Sequence, residues 1–489
     1  MAKVTAVIDI GSNSARIAIF EKTSHLGFHL IYETKSKVRI SEGTYEHGGY
    51  LQEEPMNRAI SALKDFLHLA KLHKARKILC VATSALRDAP NKEIFLKRTK
   101  AIGINIKVID GEKEAYFGAL AALNLLPYDS GITIDIGGGS TEFALIEQGS
   151  IKEQISLNIG TIRLKELFFD KGDYEGAKEF VKNALNTIPP SYRNIRIFGI
   201  GGTARALSKA IQKRSNYPLD TLHAYEYTFL THKEFLQSIY TTPQENLQKL
   251  GIQEDRVDSI QGGALIFKMA LEAFGTKEIV TSGVGVREGV FLNDMLRHLK
   301  GKFPSNFNPS VRNLKDRFIK DKNLAKITKK NALKLFDSQI PLDLIPESFR
   351  FHLSISAELC SIGTSLNFYE KNRHCSYLLL NGLNYTLSHK DRLIIATLAR
   401  YSGNKIPTDL APYELFLPSL EILQWLSYFL SLASLLSENP NPNDFSFSLH
   451  QEGNDYILNI THPNPSYLVS EKIKKLIAPA QIILKFSSL

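Results

Sequence analysis

Cysteine is scarce in this sequence: Cys80, Cys360 and Cys375 are the three it holds in 489 residues. Their odd number and wide spacing exclude a disulfide framework or a close-spaced metal knuckle and suit a reducing compartment. The plain reading is three buried, inert thiols. Long apolar runs are missing too. The nearest approach to the roughly 18 uninterrupted apolar residues of a membrane span is 422–436, which Gln424, Ser427, Ser431 and Ser434 interrupt, so a buried helix is expected there. The first residues lack a basic segment leading into a long apolar one, and Asp9 sits inside the first apolar run. No export signal is expected, hence a cytoplasmic address and no membrane partner. Acidic residues are in deficit, 50 Asp and Glu against 60 Lys and Arg, for a formal charge of +10. That surplus favours polyanionic partners such as phosphorylated nucleotides, polyphosphate or nucleic acid, and alone does not choose among them.

What is present is a repeated phrase. Residues 7–20 read VIDIGSNSARIAIF and residues 133–148 read TIDIGGGSTEFALIEQ. Each is an apolar strand, an Asp-Ile-Gly-x-x-Ser turn and a second apolar strand. Asp9 and Asp135 stand 126 residues apart (135 − 9), too far for a solenoid repeat and suited to two small domains. Strands expected at 4–10, 16–21, 77–82 and 105–109 alternate with helices near 56–73, 91–101 and 112–125. The pattern restarts at Gly131 and continues through strands at 195–200 and 278–281. The fold class is therefore α/β, a duplicated unit whose lobes, 1–125 and 126–300, face a cleft, the last helix of the second lobe packing back on the first. A stretch rich in Gly, Pro, Asn and Ser after Leu299 opens a helical domain at 301–440. A second Pro/Asn break at 438–444 precedes a hairpin, a helix and a strand in a small C-terminal α/β segment, 441–489.

A glycine turn lets successive backbone N–H groups converge on one anion. The expected phosphate donors are Gly11, Ser12, Asn13 and Ser14 in the first copy and Gly137, Gly138, Gly139, Ser140 and Thr141 in the second. The strand-end carboxylates Asp9 and Asp135 would repel phosphate and are assigned to Mg²⁺ or its waters. Two residues past the shared serine the copies diverge, with Arg16 in one and Glu142 in the other. One lobe offers a cation to phosphate and the other a third carboxylate to the metal; the plain alternatives are a solvated strand residue and an exposed hairpin acid. One such turn is common in hairpins. Two with an acid at the same offset carry the reading.

The stretch VIDGEKEAYFGAL (108–120) passes from strand to helix with three acids that diverge around the helix, Asp110, Glu112 and Glu114. They can complement the helix dipole, or Glu114, facing the cleft, can take a proton from water. FGIGGTARALSKA (198–210) places Gly201, Gly202 and Thr203 as phosphate donors at a helix start. In TSGVGVREGVFL (281–292) the glycines Gly283, Gly285 and Gly289 serve equally for close packing. Arg87, in ATSALRDA (82–89), follows a strand where a guanidinium can grip phosphate oxygens. Residues 311–336 hold nine Lys/Arg against two Asp, either a solvated basic face or a track for a long polyanion.

In order along the chain, DIGSNS (9–14), TSALRDA (83–89), IDGEKEA (109–115), IDIGGGSTE (134–142), GGTARA (201–206) and GVREGV (285–290) resemble the exopolyphosphatase and guanosine pentaphosphate phosphohydrolase family, part of the actin, sugar kinase and Hsp70 superfamily. The resemblance implies duplicated ribonuclease-H-like (actin-like) lobes, with Glu114 as catalytic base, Asp135 and Glu142 as magnesium carboxylates and Arg87 as a phosphate-binding arginine. It implies a Mg²⁺-dependent hydrolase releasing terminal phosphate from inorganic polyphosphate, guanosine pentaphosphate or both, as a homodimer with no DNA partner. The helical region resembles the HD-derived domain of the family's long members. Those often carry His-Asp or His-Glu before Ile/Val-Gly, whereas Cys360 and Ser361 precede Ile362 and Gly363 here, so no second metal-dependent active site is expected. Two alternatives stay open: a small-molecule kinase of the same superfamily, and a non-catalytic sensor of guanosine pentaphosphate or polyphosphate.

Overall fold

Two sheets with one topology organise the first three hundred residues. The structure is a computed structural model that describes residues 4–44, 46–439, 442–462, 466–479 and 482–487; positions 440 and 441, within the second Pro/Asn break, lie outside the described residues. The chain divides into two compact units, Met1–Phe307 and Asn308–Leu489.

The first unit begins with β1 (Val4–Ile10), β2 (Ala15–Lys22), β3 (Phe28–Ser36), α1 (Glu53–Leu72), β4 (Lys77–Ala82), α2 (Ser84–Arg87), α3 (Lys92–Ala101), β5 (Lys107–Val108) and α4 (Gly111–Leu125). It continues through β6 (Gly131–Ile136), β7 (Thr141–Glu147), β8 (Ser150–Leu157), α5 (Thr161–Leu167), α6 (Tyr174–Leu185), β9 (Ile197–Ile200) and α7 (Gly201–Arg214). It closes with β10 (Tyr225–Thr228), α8 (Phe229–Thr241), α9 (Ile260–Phe274), β11 (Glu278–Thr281) and α10 (Val286–Met295). The first sheet has the order β3-β2-β1-β4-β5, and the second, taken from its β8 edge, β8-β7-β6-β9-β11-β10. In both, an antiparallel meander is joined through its first strand to parallel neighbours. The duplicated phrase is thus a duplicated sheet. β1 and β6 are central strands shielded on both faces, which explains their nearly unbroken apolar runs up to the aspartates at their ends.

The lobes exchange helices. α4 packs against β7 and β8 of the second sheet, α10 against β1 of the first, and the two helices against each other. A Cβ on Gly289 would fall 1.9 Å from the Phe117 carbonyl oxygen, so this helix crossing requires glycine. Phe291 of α10 stacks on Phe20 with ring centroids 4.4 Å apart. The last helix of the second lobe therefore does pack back on the first. The Gly/Pro/Asn-rich stretch stays with this unit as far as Phe307: Asn124 donates to the Gly301 carbonyl (2.9 Å) and accepts from the Phe303 amide (3.0 Å).

The second unit holds α11 (Pro309–Phe318), α12 (Lys322–Ser338), α13 (Arg350–Leu359), α14 (Lys371–Gly382), α15 (His389–Tyr401) and α16 (Leu420–Leu436), then β12 (Ser446–Glu452), β13 (Asp455–Thr461), α17 (Tyr467–Ile473) and β14 (Ile482–Ser487). α16 is the buried helix expected from the interrupted apolar run, with Trp425 at its centre. Leu449, Leu458, Ile460, Val469 and Ile473 join the same core, so the C-terminal strands complete the helical layer. Among the described residues no helix is long and apolar enough to cross a membrane.

Candidate active site

Each glycine turn is closed by the same hydrogen bond: Gly11 N–H to the Ser14 carbonyl (3.1 Å) in one copy, Gly137 N–H to the Ser140 carbonyl (2.9 Å) in the other. The amides of Gly11 and Gly137, expected to face an anion, are spent inside their own turns. Those of Ser12, Asn13, Gly138 and Gly139 make no hydrogen bond among the described residues and are the donors each turn has to give. The turns meet, since a Cβ on Gly138 would lie 2.7 Å from the Ser12 Cβ. Ser12 is braced by Ser84, Oγ to Oγ 3.0 Å. Thr141 departs from expectation. It is fully buried and its hydroxyl donates to the Ile159 carbonyl (2.6 Å), because the first residue of β7 points into the lobe core.

The strand pairing explains the divergent residues. Asp9 stands opposite Arg16 in the β1–β2 ladder, and Asp135 opposite Glu142 in the β6–β7 ladder. Arg16 and Glu142 are equivalent positions, one cationic and one anionic, at the mouths of equivalent hairpins.

A cavity of about 140 Å³ lies between the turns. Ser12, Asn13 and Ser14 line it from one lobe, Gly137, Gly138 and the start of α7 (Gly201, Gly202 and Thr203) from the other. Gly201 has φ +79°, and a Cβ there would fall 2.1 Å from Asp135 Oδ1, so glycine alone fits. Thr203 Oγ1 donates to the Ile136 carbonyl (3.3 Å), which ties the helix start to the strand end. Four arginines enter the cavity: Arg16, Arg205, Arg256 and Arg287. Burial, then repulsion from Arg287, Arg205 and Arg256, pushes Arg16 down to about 10. Arg287 is held by Glu33 (2.5 Å), and Arg205 donates to the Gly283 carbonyl (2.8 Å). Of the four, sequence reading named Arg16 alone. Arg287 lies in the first turn of α10 and Arg205 just past the first turn of α7, helices that open at or behind glycines, the signal that would have found them; Arg256 ends a short 3-10 turn after α8 with no motif.

The three acids around α4 separate into three roles. Asp110 caps the helix, accepting from the Lys113 amide (2.6 Å), and Glu112 is exposed. Glu114, its side chain 12% exposed, reaches the cavity. Arg87, at the end of the one-turn helix α2 where a loop was expected, donates to Glu114 Oε2 (3.2 Å) and lies 3.4 Å from Ser140 Oγ. It spans from Glu114 on one side to the second glycine turn on the other. Glu142 is buried and accepts from Ser156 Oγ (2.9 Å). Gly139 offers its carbonyl to Arg163 Nε (2.9 Å).

These carboxyls hold their protons more tightly than usual. Burial, then the neighbouring Glu142 charge, raises Glu114 well above the ordinary carboxylate range, with Arg87 opposing. Burial also raises Glu142, relieved in part by the Ser140 hydroxyl and increased by Asp135. Asp135 is pushed up to about 6 by burial, with Arg205 opposing and Asp9 adding. Asp9 is raised by burial against the pull of Arg287 and Arg16, so arginines are its immediate charge partners. Among the described residues no three His, Cys, Asp or Glu side chains close around a single point as a metal cage.

Two family models together match most of the chain. The model of the Ppx/GppA phosphatase family matches residues 18–298, and that of Ppx/GppA phosphatase domain III matches residues 308–473. The chain is 32% identical over 298 residues to a bifunctional 3-dehydroquinate synthase/phosphatase of Fusobacterium nucleatum, an overlap of 57% of this chain and 44% of that protein. It thus spans less than half of that relative's length. It is 27% identical over 391 residues to a guanosine-5'-triphosphate,3'-diphosphate pyrophosphatase of Photobacterium profundum, covering 76% of this chain and 75% of the relative. The crystal structure of the Aquifex aeolicus member of the Ppx/GppA family aligns at 29% identity with a TM-score of 0.53, over 61% of this chain and 99% of that one. With the second glycine turn, the Glu114 helix and the α7 start lying inside the matched region, the chain belongs to the Ppx/GppA phosphatase family.

Proposed function

We propose that the cleft hydrolyses a terminal phosphoanhydride bond, in inorganic polyphosphate, in guanosine pentaphosphate or in both, with Mg²⁺ as cofactor. The observation that carries this is the Glu114–Arg87–Ser140 bridge across two facing phosphate turns, beside four arginines in one small cavity. In this reading the free amides of both turns and the guanidinium groups hold the terminal phosphoryl oxygens, and Glu114 orients a water and accepts its proton. Catalysis is then mainly positioning and electrostatic stabilisation. The names carried by the relatives support a phosphate-releasing activity.

The donor set fits a hard cation that arrives with phosphate. The acids at the cavity, Asp9, Glu114 and Asp135, offer carboxyl oxygens, and Mg²⁺ characteristically uses one or two carboxylates, several waters and the substrate's own phosphates rather than a complete protein cage. Asp135 and Glu142 would hold it, with Asp9 behind them. When bound, the ion neutralises charge developing on the phosphoryl group. Phosphate release measured side by side on long polyphosphate, guanosine pentaphosphate and ATP, with Mg²⁺ or with chelator, tests the reading. Release from one of the first two that requires Mg²⁺ is expected. Transfer to an added sugar or acid instead of water, or binding without turnover, would overturn it.

The basic helices α11 and α12 bear on which substrate is used. Lys315 and Lys329 both contact Glu358 (2.5 and 2.8 Å), Arg312 and Lys322 contact Asp316 (2.9 and 3.6 Å), and Lys334 donates to the Phe445 carbonyl (2.7 Å). Much of the apparent charge excess is therefore used in holding the unit together. Among the described residues Lys326 and Lys330 have no such partner, and a polyphosphate track would rest on them. Replacing both with Gln should weaken long-chain polyphosphate binding and flatten its dependence on salt, because fewer counterions are released, while guanosine pentaphosphate hydrolysis stays near wild type. Equal losses on both substrates, or none on either, would remove the track.

A further inference from the structure

The second unit carries a hollow of about 470 Å³ that the family's chemistry in the first unit leaves unused. Its walls come from the loop entering α14, the end of α15 and the loop after it. Phe368 and Tyr369 stand at its edge with 69% and 79% of their surfaces exposed, their rings edge to face at 5.8 Å. Aromatic rings of this size normally bury most of their area. Four cations line the same hollow, Lys371, Arg373, Arg400 and Lys405, against a single acid, Glu370. None of the four makes an ion pair among the described residues, in contrast to Lys315, Lys322 and Lys329 of the basic helices. Lys371 lies over the Phe368 ring (5.6 Å) and Arg400 over Tyr401 (5.8 Å).

The frame around the hollow is fixed. Asn372 Nδ2 donates to the Ser402 carbonyl (2.6 Å), tying the start of α14 to the end of α15, and the Gly403 amide donates to Ser431 Oγ (2.6 Å) on α16. Glu370 is held at φ +56°, a left-handed conformation that costs a non-glycine residue energy and collects at ligand sites. Exposed flat rings beside unneutralised cations match one ligand chemistry, a planar base joined to a short run of phosphates. The volume is that of a small-molecule pocket rather than a long groove.

We propose that this hollow is a nucleotide site: a base stacks on Phe368 and Tyr369 while its phosphates are held by Lys371, Arg373, Arg400 and Lys405. It is separate in sequence and in unit from the hydrolytic cleft, so it would act as an effector site. Equilibrium dialysis of the intact chain with labelled β,γ-imidoguanosine triphosphate tests it, on the wild type, on Phe368→Ala/Tyr369→Ala, on Arg400→Gln/Lys405→Gln and on the cleft variant Arg205→Gln. Each double substitution in the hollow should weaken one class of binding by roughly tenfold or more, the scale of losing one stacked base, and leave saturated phosphate release unchanged. Arg205→Gln should keep that class of binding. Inorganic tripolyphosphate, with the charge but no base, should bind there at least tenfold more weakly. Unchanged nucleotide binding in both hollow variants would overturn the proposal. So would equal affinity for tripolyphosphate, which would make the hollow a plain anion patch. A short oligouridylate binding far more tightly than the nucleotide would overturn it in favour of a nucleic-acid surface. Failure of hydrolysis in the cleft would leave these readouts intact, since they record binding in the second unit.

Discussion

Glu114→Gln is expected to lower turnover by roughly 10² to 10⁴-fold while leaving substrate binding intact, the loss typical of removing a positioned general base. The substitution keeps the size of the side chain and an oxygen to accept from Arg87, and removes the proton acceptor. It also removes a negative charge that sits beside Glu142 and faces the cavity, so affinity for an anionic substrate should hold or improve. Glu112→Gln is the control, because Glu112, two residues before Glu114 on the same helix, is exposed and does not line the cavity. The pH profile separates a base from a structural residue. Burial and the Glu142 charge raise Glu114 above the ordinary range, so the wild-type rate should climb as pH rises and the carboxylate forms. That rising limb should be absent from the residual activity of the Gln variant. Wild-type turnover in Glu114→Gln, or an unchanged limb, would mean that water is activated elsewhere.

The duplicated lobes were legible because the phrase that repeats is local: strand, turn and strand are consecutive, and their alternation and glycines survive in both copies. Sequence also separated Glu114 from Glu112, since helical geometry sends residues two apart to different faces. The rest depended on contacts that no window contains. Arg256 reaches the cavity from a loop more than two hundred residues beyond Arg16, and Glu33 meets Arg287 across a similar span. β3, which carries Glu33, escaped notice because an edge strand alternates exposed and half-buried positions and reads as polar. The expected strand at 105–109 shrinks to Lys107–Val108 at the opposite edge. The turn amides were misassigned for a different reason: a glycine turn must close itself before it can bind anything, and the closing bond consumes the first amide. The basic run of α11 and α12 looked freer than it is because Glu358, which neutralises two of its lysines, lies outside the run.

Asp135→Asn and Glu142→Gln are each expected to abolish Mg²⁺-dependent phosphate release and, with it, a pH-dependent stabilisation by the metal. The sign follows from the direction of the shifts. A carboxyl whose folded value is raised contributes stability while it is protonated, and loses it as pH rises from the unfolded value through the folded one. For Asp135 that window runs from the ordinary 3.8 to about 6, and Glu142 moves in the same direction. Without metal, therefore, the protein should lose stability as these groups ionise between roughly pH 4 and 7, Asp135 alone accounting for on the order of 3 kcal/mol. A divalent cation binds the ionised form and must displace protons from the other, so it stabilises by mass action only where the carboxylates are charged. The thermal shift produced by Mg²⁺ should accordingly be small at pH 5 and large at pH 8 in the wild type. In the Asn and Gln variants both the metal-free decline and the Mg²⁺ shift should become smaller, because each removes one of the two charges to be buried or bound. Thermal melts at the two pH values, with Mg²⁺ and with chelator, read all of this without reference to turnover. A Mg²⁺ shift of the same size in wild type and variants, or full phosphate release in chelator, would take the metal away from Asp135 and Glu142 and leave their raised protonation to be explained by burial alone.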